Sequence, residues 1–287
     1  MLSTLSILST LIIPVSAQEA SGELVVFAAA SLTNAYQEIA DRFEQTHPGV
    51  QVLLNFAGSS DLSLQIQQGA PADVFASANL NQMCAAQDAL AGEGEFAVFA
   101  RNRLIVILPS DNPGGVNTLA DLAQPGLALV LAVPGVPVRD YSDTMLNALA
   151  ADVEYGEAYR AAVLENLVSE EPNVRQVVTR VALGEADAGI VYASDVTPDL
   201  AAQLLILDVP DVFNVIAEYP VATVLDAEQP ELAQAFVALV LSVEGQAILS
   251  RWGFIGAGSA PEPVVSFLFA RLERQSGQAE SITCPPR

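Results

Sequence analysis

The sequence predicts an α/β protein of two lobes with a ligand cleft between them, and three observations carry that prediction. Short apolar runs alternate with amphipathic stretches, the pattern of parallel strands joined by crossover helices. The alternation starts afresh near residue 101, and a late segment from about residue 220 has no place in the second unit, so the chain is expected to cross between lobes twice. With 287 residues, 52% apolar and 16% charged, the chain has the length and composition for two packed cores. The expected division is a first lobe of 23–100 plus 220–256, a second lobe of 101–219 and a C-terminal tail of 257–287.

The run "ELVVFAA" (23–29) reads as a buried strand. Leu32, Ala35, Tyr36, Ile39, Ala40 and Phe43 then recur at helical spacing, with Glu38, Asp41, Arg42 and Glu44 on the opposite side, and "HPG" (47–49) stops that helix. "VQVLLNFA" (50–57) is the second strand, "SDLSLQIQQ" a short helix closed by Gly69, and "DVFASA" (73–78) the third strand. The second unit opens on a strand at "RNRLIVILP" (101–109). A helix around "TLADLA", a strand at "LALVLAV" and a helix from about Asp140 to Ala151 follow. Next come a helix over 174–183 stopped by Gly184, a strand over 188–194 and apolar runs at 204–209 and 218–225. The last expected helices are "PELAQAFVALVLS" (230–242) and, in the tail, "PVVSFLFARLERQ".

The N-terminus, "MLSTLSILSTLIIPVSAQ", has the apolar run and small-residue cleavage pattern of an export signal over 1–17, though no positive charge precedes it. Export would place the protein in the periplasm or otherwise outside the cytoplasm. Cys84 and Cys284 have no metal-ligand spacing. They are expected to be a buried thiol and a free tail thiol; a single disulfide, which export permits, is the alternative. The 34 acidic residues face 11 basic ones, all arginine, for a net charge of -23. Such a surface repels nucleic acid and anionic membranes and argues against a role on either.

The junction "FAAASLT" (27–33) turns from strand to helix with no charged residue in reach. A helix start leaves unpaired N–H groups at the positive end of the helix dipole, so it can hold an anion without a formal positive charge. Ser31 is the N-cap candidate there, and the small Ala28, Ala29 and Ala30 leave room for close approach. "FAGSSDL" (56–62) repeats the arrangement, with Gly58 for backbone approach and Ser59 and Ser60 before a helix. "NVRQVV" (173–178) offers Asn173 as a cap and Val174 as the first helical N–H, and "GVPVRDYS" (135–142) is a fourth turn of this kind. Tyr192, at the end of "AGIVY", is either a phenolic donor at the cleft edge or a packing residue.

At these residues the sequence resembles the periplasmic molybdate-binding proteins of ABC uptake systems. The stretches that carry the resemblance are "VFAAASLTNAYQEIADRFEQTHPGVQVLLNFAGSSDL", "GAPADVFASAN", "NVRQVV…GEADAGIVYASD", "EYPVA" and "GF", from about Val25 to Phe254. The resemblance implies a two-lobed, type II periplasmic binding-protein fold that closes on tetrahedral molybdate or tungstate, with no other cofactor. It implies Ser31 and Ser59 as donors through side chain and backbone, Val138 and Val174 as backbone N–H donors, and the Tyr192 hydroxyl as a fifth. It further implies a monomeric receptor that delivers its anion to a membrane permease. Arg139 stands where the family usually has glycine. It is expected to face solvent, the alternative being a guanidinium beside the anion with Asp140 as its counter-charge.

Other functions fit less well. An enzyme is not expected: His47 is the only histidine and sits in a helix-stopping turn, which leaves no Ser-His-acid triad, and Asp61 reads as a helix-start carboxylate. A phosphate site would include a carboxylate acceptor, and iron capture would want tyrosines with carboxylates. Sulfate differs from molybdate mainly in size and stays open as an alternative ligand.

Overall fold

The computed structural model describes residues 21–92, 95–256, 281, 282 and 284. The expected export signal over 1–17 and the expected tail helix lie outside the described residues. Strand β1 (Gly22–Ala29) is an interior strand of the first sheet, one in from its edge, and its alternation serves two cores. Leu24, Val26 and Ala28 enter one apolar cluster, while Phe27, with half-buried Val25, enters another on the opposite face. A strand covered on both faces needs the uninterrupted apolar run seen in the sequence.

The first sheet has β1 between parallel β2 (Val50–Ala57) and β3 (Val74–Ala76). Antiparallel strands β4 (Phe96–Asn102) and β10 (Ala217–Thr223) extend it beyond β3, and β11 (Ile255–Gly256) and β12 (Ser281–Ile282) both pair with β4. The second sheet has the order β7-β6-β8-β5-β9, from β5 (Leu104–Pro109), β6 (Leu129–Ala132), β7 (Leu167–Glu171), β8 (Ala188–Tyr192) and β9 (Leu204–Asp208). Sheet membership changes at Arg103 and again between Asp208 and Ala217, so the chain passes between the two lobes twice. The strand expected over 101–109 is two strands, β4 ending and β5 beginning on either side of Arg103.

Helices α1 (Thr33–Thr46) and α2 (Ser59–Gln67) follow β1 and β2, and short α3 (Leu80–Ala85) follows β3. In the second lobe α4 (Pro137–Ala151) and α6 (Val174–Ala182) follow β6 and β7, with α5 (Tyr159–Glu165) between them. Helices α7 (Pro230–Leu241) and α8 (Val243–Arg251) return to pack on α1. Tyr36, Phe43, Phe99 and Phe236 meet there at ring-centroid separations of 5.4–5.9 Å, the tilted and edge-on contacts that aromatic quadrupoles favour. No single helix among the described residues is long and apolar enough to cross a membrane.

Two expectations fail. Helix α4 starts at Pro137 rather than near Asp140, because proline suits the first helical position and its fixed φ starts the turn early. Cys84 and Cys284 are not free thiols; they form a disulfide. The pairing of 281–282 with Phe96–Ala97 carries the chain end to α3, where both cysteines pack against the second apolar cluster. The bridge closes a chain separation of 200 residues. Crosslinks of this kind stabilise chiefly by restricting the unfolded chain, by about 2–4 kcal/mol. Reductant should therefore lower the urea midpoint of the wild type and leave Cys84→Ser, already lowered by a similar amount, unaffected. Identical midpoints with and without reductant in the wild type would rule the staple out.

Candidate anion-binding cleft

Four chain turns converge where the two sheets face each other. Ser31 does not cap α1: a 3-10 turn, Ala30–Leu32, stands between β1 and the helix, and the side chain makes no cap hydrogen bond. Its Oγ lies 3.0 Å from the Tyr219 hydroxyl instead. Ser59 is the first residue of α2, with Gly58 as N-cap, and its Oγ accepts the Ala78 N–H at 3.0 Å. Val138 is the second residue of α4, and Val174 is the first of α6. Asn173 caps α6 as its position suggested, its Oδ1 accepting the Gln176 N–H at 3.2 Å. First-turn N–H groups have no intrahelical acceptor, so α2, α4 and α6 each direct unpaired donors at the cleft.

Tyr192 closes the set from the end of β8, 1% exposed. Its hydroxyl is buried without a partner of good hydrogen-bond geometry, although the Tyr219 hydroxyl acts on it from nearby. Ser31, Ser59, Val138, Val174 and Tyr192 all line one cavity of about 210 Å³, its open mouth included. No charged side chain is among its lining residues. Burial pushes the Tyr192 and Tyr219 hydroxyls well above the ordinary phenol range, so both are neutral groups with a proton to give. The arrangement can desolvate a small anion and hold it by neutral donors from both lobes.

Charges stand behind the lining rather than in it. Asp195 is fully buried and caps the turn after β8, accepting the Tyr192 N–H at 3.1 Å. Arg175 Nε is 3.0 Å from Asp195 Oδ1, and Arg175 Nη2 donates to the Ser31 carbonyl at 3.4 Å, tying α6 to the opposite lobe. Arg139 faces neither solvent nor the cleft. It is 7% exposed, pairs with Asp143 at 3.1 Å and with Glu170, and donates to the Ala132 carbonyl at 3.0 Å. The early start of α4 places residue 139 against the ends of β6 and β7, where these acceptors cancel its charge. Asp140 is not its partner; it accepts from Asn79 Nδ2 of the first lobe at 3.3 Å.

Residues that sequence reasoning left without a role draw the lobes together. Gln82 Nε2 donates to the Gly135 carbonyl at 3.0 Å, and Asn102 Nδ2 to Ser194 Oγ at 2.7 Å. Gly58 has φ -60 and ψ 138, which any residue adopts, so its requirement is space: a Cβ would lie 2.6 Å from the Pro172 carbonyl oxygen of the other lobe. Tyr219 sits within "EYPVA", one of the stretches that carry the family resemblance, but nothing in the sequence assigned the tyrosine itself a role.

With this geometry in place, the family comparison is decisive. Residues 24–255 match the family described as bacterial extracellular solute-binding protein. The molybdate-binding protein ModA of Mycobacterium bovis is 36% identical over 241 residues, covering 84% of this chain and 87% of the relative. The chain belongs to the ModA family of extracellular solute-binding proteins. Among solved structures, the periplasmic molybdate-binding protein of Azotobacter vinelandii superposes with a TM-score of 0.68 at 22% identity, covering 81% of this chain and 98% of that one. The sulfate-binding protein SubI of Mycobacterium tuberculosis gives 0.70 at 18% identity, covering 82% and 87%. Both show the two-lobed binding-protein fold.

Two outcomes follow from the packing around the cleft. Gly58→Ala should weaken anion binding at least tenfold by holding the lobes apart, while the unliganded melting temperature changes little; unaltered affinity would show that the Gly58–Pro172 approach is not needed for closure. Asp195 is pushed up to about 6, burial being the largest cause, with Arg175 and the Tyr192 N–H opposing it. Its folded pKa thus exceeds the unfolded value of about 3.9, so the folded state holds the proton more tightly. The stability from this group is complete below about pH 4 and is lost as pH rises to 6. Thermal melts should show the wild type falling relative to Asp195→Asn across that window, and parallel curves would contradict it.

Proposed function

We infer that this chain is an extracytoplasmic receptor that captures molybdate or tungstate and hands it to the permease of an ABC transporter. The observation that carries the reading is the convergence of Ser31, Ser59, Val138, Val174 and Tyr192 on one small cavity without a charged lining residue. These five are the proposed ligand-binding residues. A tetrahedral dianion has four oxygens to satisfy and no proton to give, so a set of donors suits it and a carboxylate would not. Hydrogen bonds to a charged acceptor contribute about 1.5–3 kcal/mol each. Five of them, less the costs of association and closure, reach the roughly -8 kcal/mol of micromolar binding or beyond.

The donors come from both lobes: Ser31 and Ser59 from the first, Val138, Val174 and Tyr192 from the second. Bound anion would therefore favour the closed arrangement, since only a ligand with different affinity for two states shifts them. The lobes proposed are 23–100 with 220–256, and 101–219, preceded by a cleaved signal over 1–17. The receptor is proposed to act as a monomer, with no cofactor and no chemical step. His47, the sole histidine, sits at the C-terminal end of α1 with its ring stacked on Phe43 at 4.0 Å, away from the cleft. Sulfate is the second reading, because a neutral all-donor cavity suits it equally in charge and shape.

Isothermal titration of the mature chain with molybdate, tungstate and sulfate tests the reading. Submicromolar binding of the first two and far weaker sulfate binding is expected, while preference for sulfate would favour the second reading. Ser31→Ala and Ser59→Ala should each weaken the preferred anion by about 1–3 kcal/mol. Unchanged affinity in both variants would remove these residues from the site.

A further inference from the structure

Helix α3 joins the two halves of the cleft. Just before it, the N–H of Ala78, a lining residue, is accepted by Ser59 Oγ at 3.0 Å. Two side chains then cross to the second lobe. Asn79 Oδ1 accepts the Gln82 N–H at 2.9 Å, so its amide nitrogen is the part left to donate, and that nitrogen meets Asp140 Oδ2 at 3.3 Å. Gln82 Nε2 donates to the Gly135 carbonyl at 3.0 Å, and a carbonyl can only accept. The direction of each bond is therefore fixed. Gly135 lies in the turn before α4, and Asp140 lies in the first turn of that helix. Six residues of α3 thus connect Ser59 of one lobe to the turn that presents Val138 of the other.

The two ends of α3 are held differently. At the first end, Ser77 Oγ donates to the Asn79 carbonyl at 2.9 Å and accepts the Asn79 N–H at 3.3 Å, so local contacts alone pin Asn79. A six-residue helix has too few internal hydrogen bonds to carry that order to its far end. The far end is fixed from outside, by Met83 buried in the second apolar cluster and by Cys84 bridged to Cys284. Cys284 follows β12, which pairs with β4 of the first-lobe sheet. Gln82, two residues from Cys84, is therefore on the end that the bridge ties to the first lobe, and its side chain reaches the second.

We propose that the Cys84–Cys284 disulfide tunes anion affinity through Gln82: the bridge holds α3 where Gln82 can clasp the Gly135 carbonyl, and the clasp favours the closed arrangement of the lobes. Gln82 is a positioning residue, since it holds the turn before α4 and is not part of the cavity wall. A bridge and an anion that favour the same state strengthen each other by the same factor. Reduction by a dithiol breaks the S–S bond, each sulfur gaining one electron and one proton, while the dithiol loses two of each and closes to its own disulfide. The clasp is then loosened and the anion held less tightly. The proposal rests on the anion-binding reading of the cleft and adds a redox dependence to it.

The test is isothermal titration with molybdate, tungstate and sulfate of the wild type, Cys84→Ser/Cys284→Ser, Gln82→Leu and the combined variant, each shown to be folded by circular dichroism. Loss of the bridge should weaken the preferred anion about fivefold when Gln82 is present, the size expected for one neutral hydrogen bond. In the Gln82→Leu background the same loss should matter by less than about twofold, because the contact through which it acts is gone. Unchanged affinity without the bridge, or equal weakening in both backgrounds, would overturn the proposal. A reciprocal measurement needs no cysteine variant. In dithiothreitol redox buffers, saturating anion should raise the ratio of reduced to oxidised reagent needed for half-reduction about fivefold in the wild type and less than about twofold in Gln82→Leu. A shift of the same size in both proteins would mark a general stabilising effect of the anion and overturn the clasp, as would no shift in the wild type. Binding that ignores the bridge would sink the clasp and spare the cleft reading; no binding of any of the three anions by the oxidised wild type would sink both.

Discussion

Holding a small anion inside a protein of net charge -23 is the constraint on which the arrangement of this molecule depends. An anion taken out of water loses a complete hydration shell, and the loss is tolerable only if donors replace it closely. Cations would do so by charge, yet the arginines near the cleft are already engaged: Arg175 with Asp195 and the Ser31 carbonyl, Arg139 with Asp143, Glu170 and the Ala132 carbonyl. What faces the cavity instead is a set of peptide N–H groups and hydroxyls. The peptide N–H groups are fixed by helix starts and the hydroxyls sit on short or buried side chains, so little entropy is lost when an anion arrives.

That choice of donor dictates the residues around it. Peptide N–H groups are short, so the backbones of opposing turns must come close. Ala29, Ala30, Ala57, Gly58 and Ala78 provide small lining where larger side chains would hold the turns apart. The same requirement reaches into the lobe interface. The Gly58 backbone faces the Pro172 carbonyl with no room for a methyl group, and Gln82 and Asn102 bridge the lobes with neutral hydrogen bonds while Asn79 donates to the Asp140 carboxylate. Neutral contacts of this kind are individually modest, which suits an interface that must open again.

How much of this is legible in the sequence depends on whether the cause is local. Strands β1 and β2 match their expected ranges to within a residue; in β1 the run from Leu24 to Ala29 is apolar throughout because both faces are covered. The capping role of Asn173 is equally local, a side chain three residues from the N–H it accepts. Edge strand β7, "LVSEE", has no apolar period because only part of it is covered, and it escapes detection. The remaining misses involve distant partners. Ser31 looks like a cap in isolation, but its partner Tyr219 is 188 residues away; Cys84 and Cys284 are 200 apart. Arg139 looks like a surface residue until the start of α4 shifts by three positions and turns it onto Glu170, on the neighbouring strand β7.

The comparison with SubI sharpens what the fold does and does not determine. A sulfate-binding protein shares the two-lobed architecture at a TM-score of 0.70, so the layout of strands and helix starts does not by itself choose among tetrahedral oxyanions. Choice must come from quantities the layout leaves free: the span between donors, and whether each hydroxyl presents a proton or a lone pair. Span discriminates by size, and hydroxyl direction by protonation state. Helix starts fix only the peptide donors, whose direction cannot be changed. The serine and tyrosine hydroxyls can rotate, and so they are the groups for which the protein must build a second layer. The Tyr219 hydroxyl, 3.0 Å from Ser31 Oγ, and the Ala78 N–H, which Ser59 Oγ accepts, are the partners the protein places against the two serines. The chemistry of the cleft is therefore set as much by what stands behind the lining as by the lining itself.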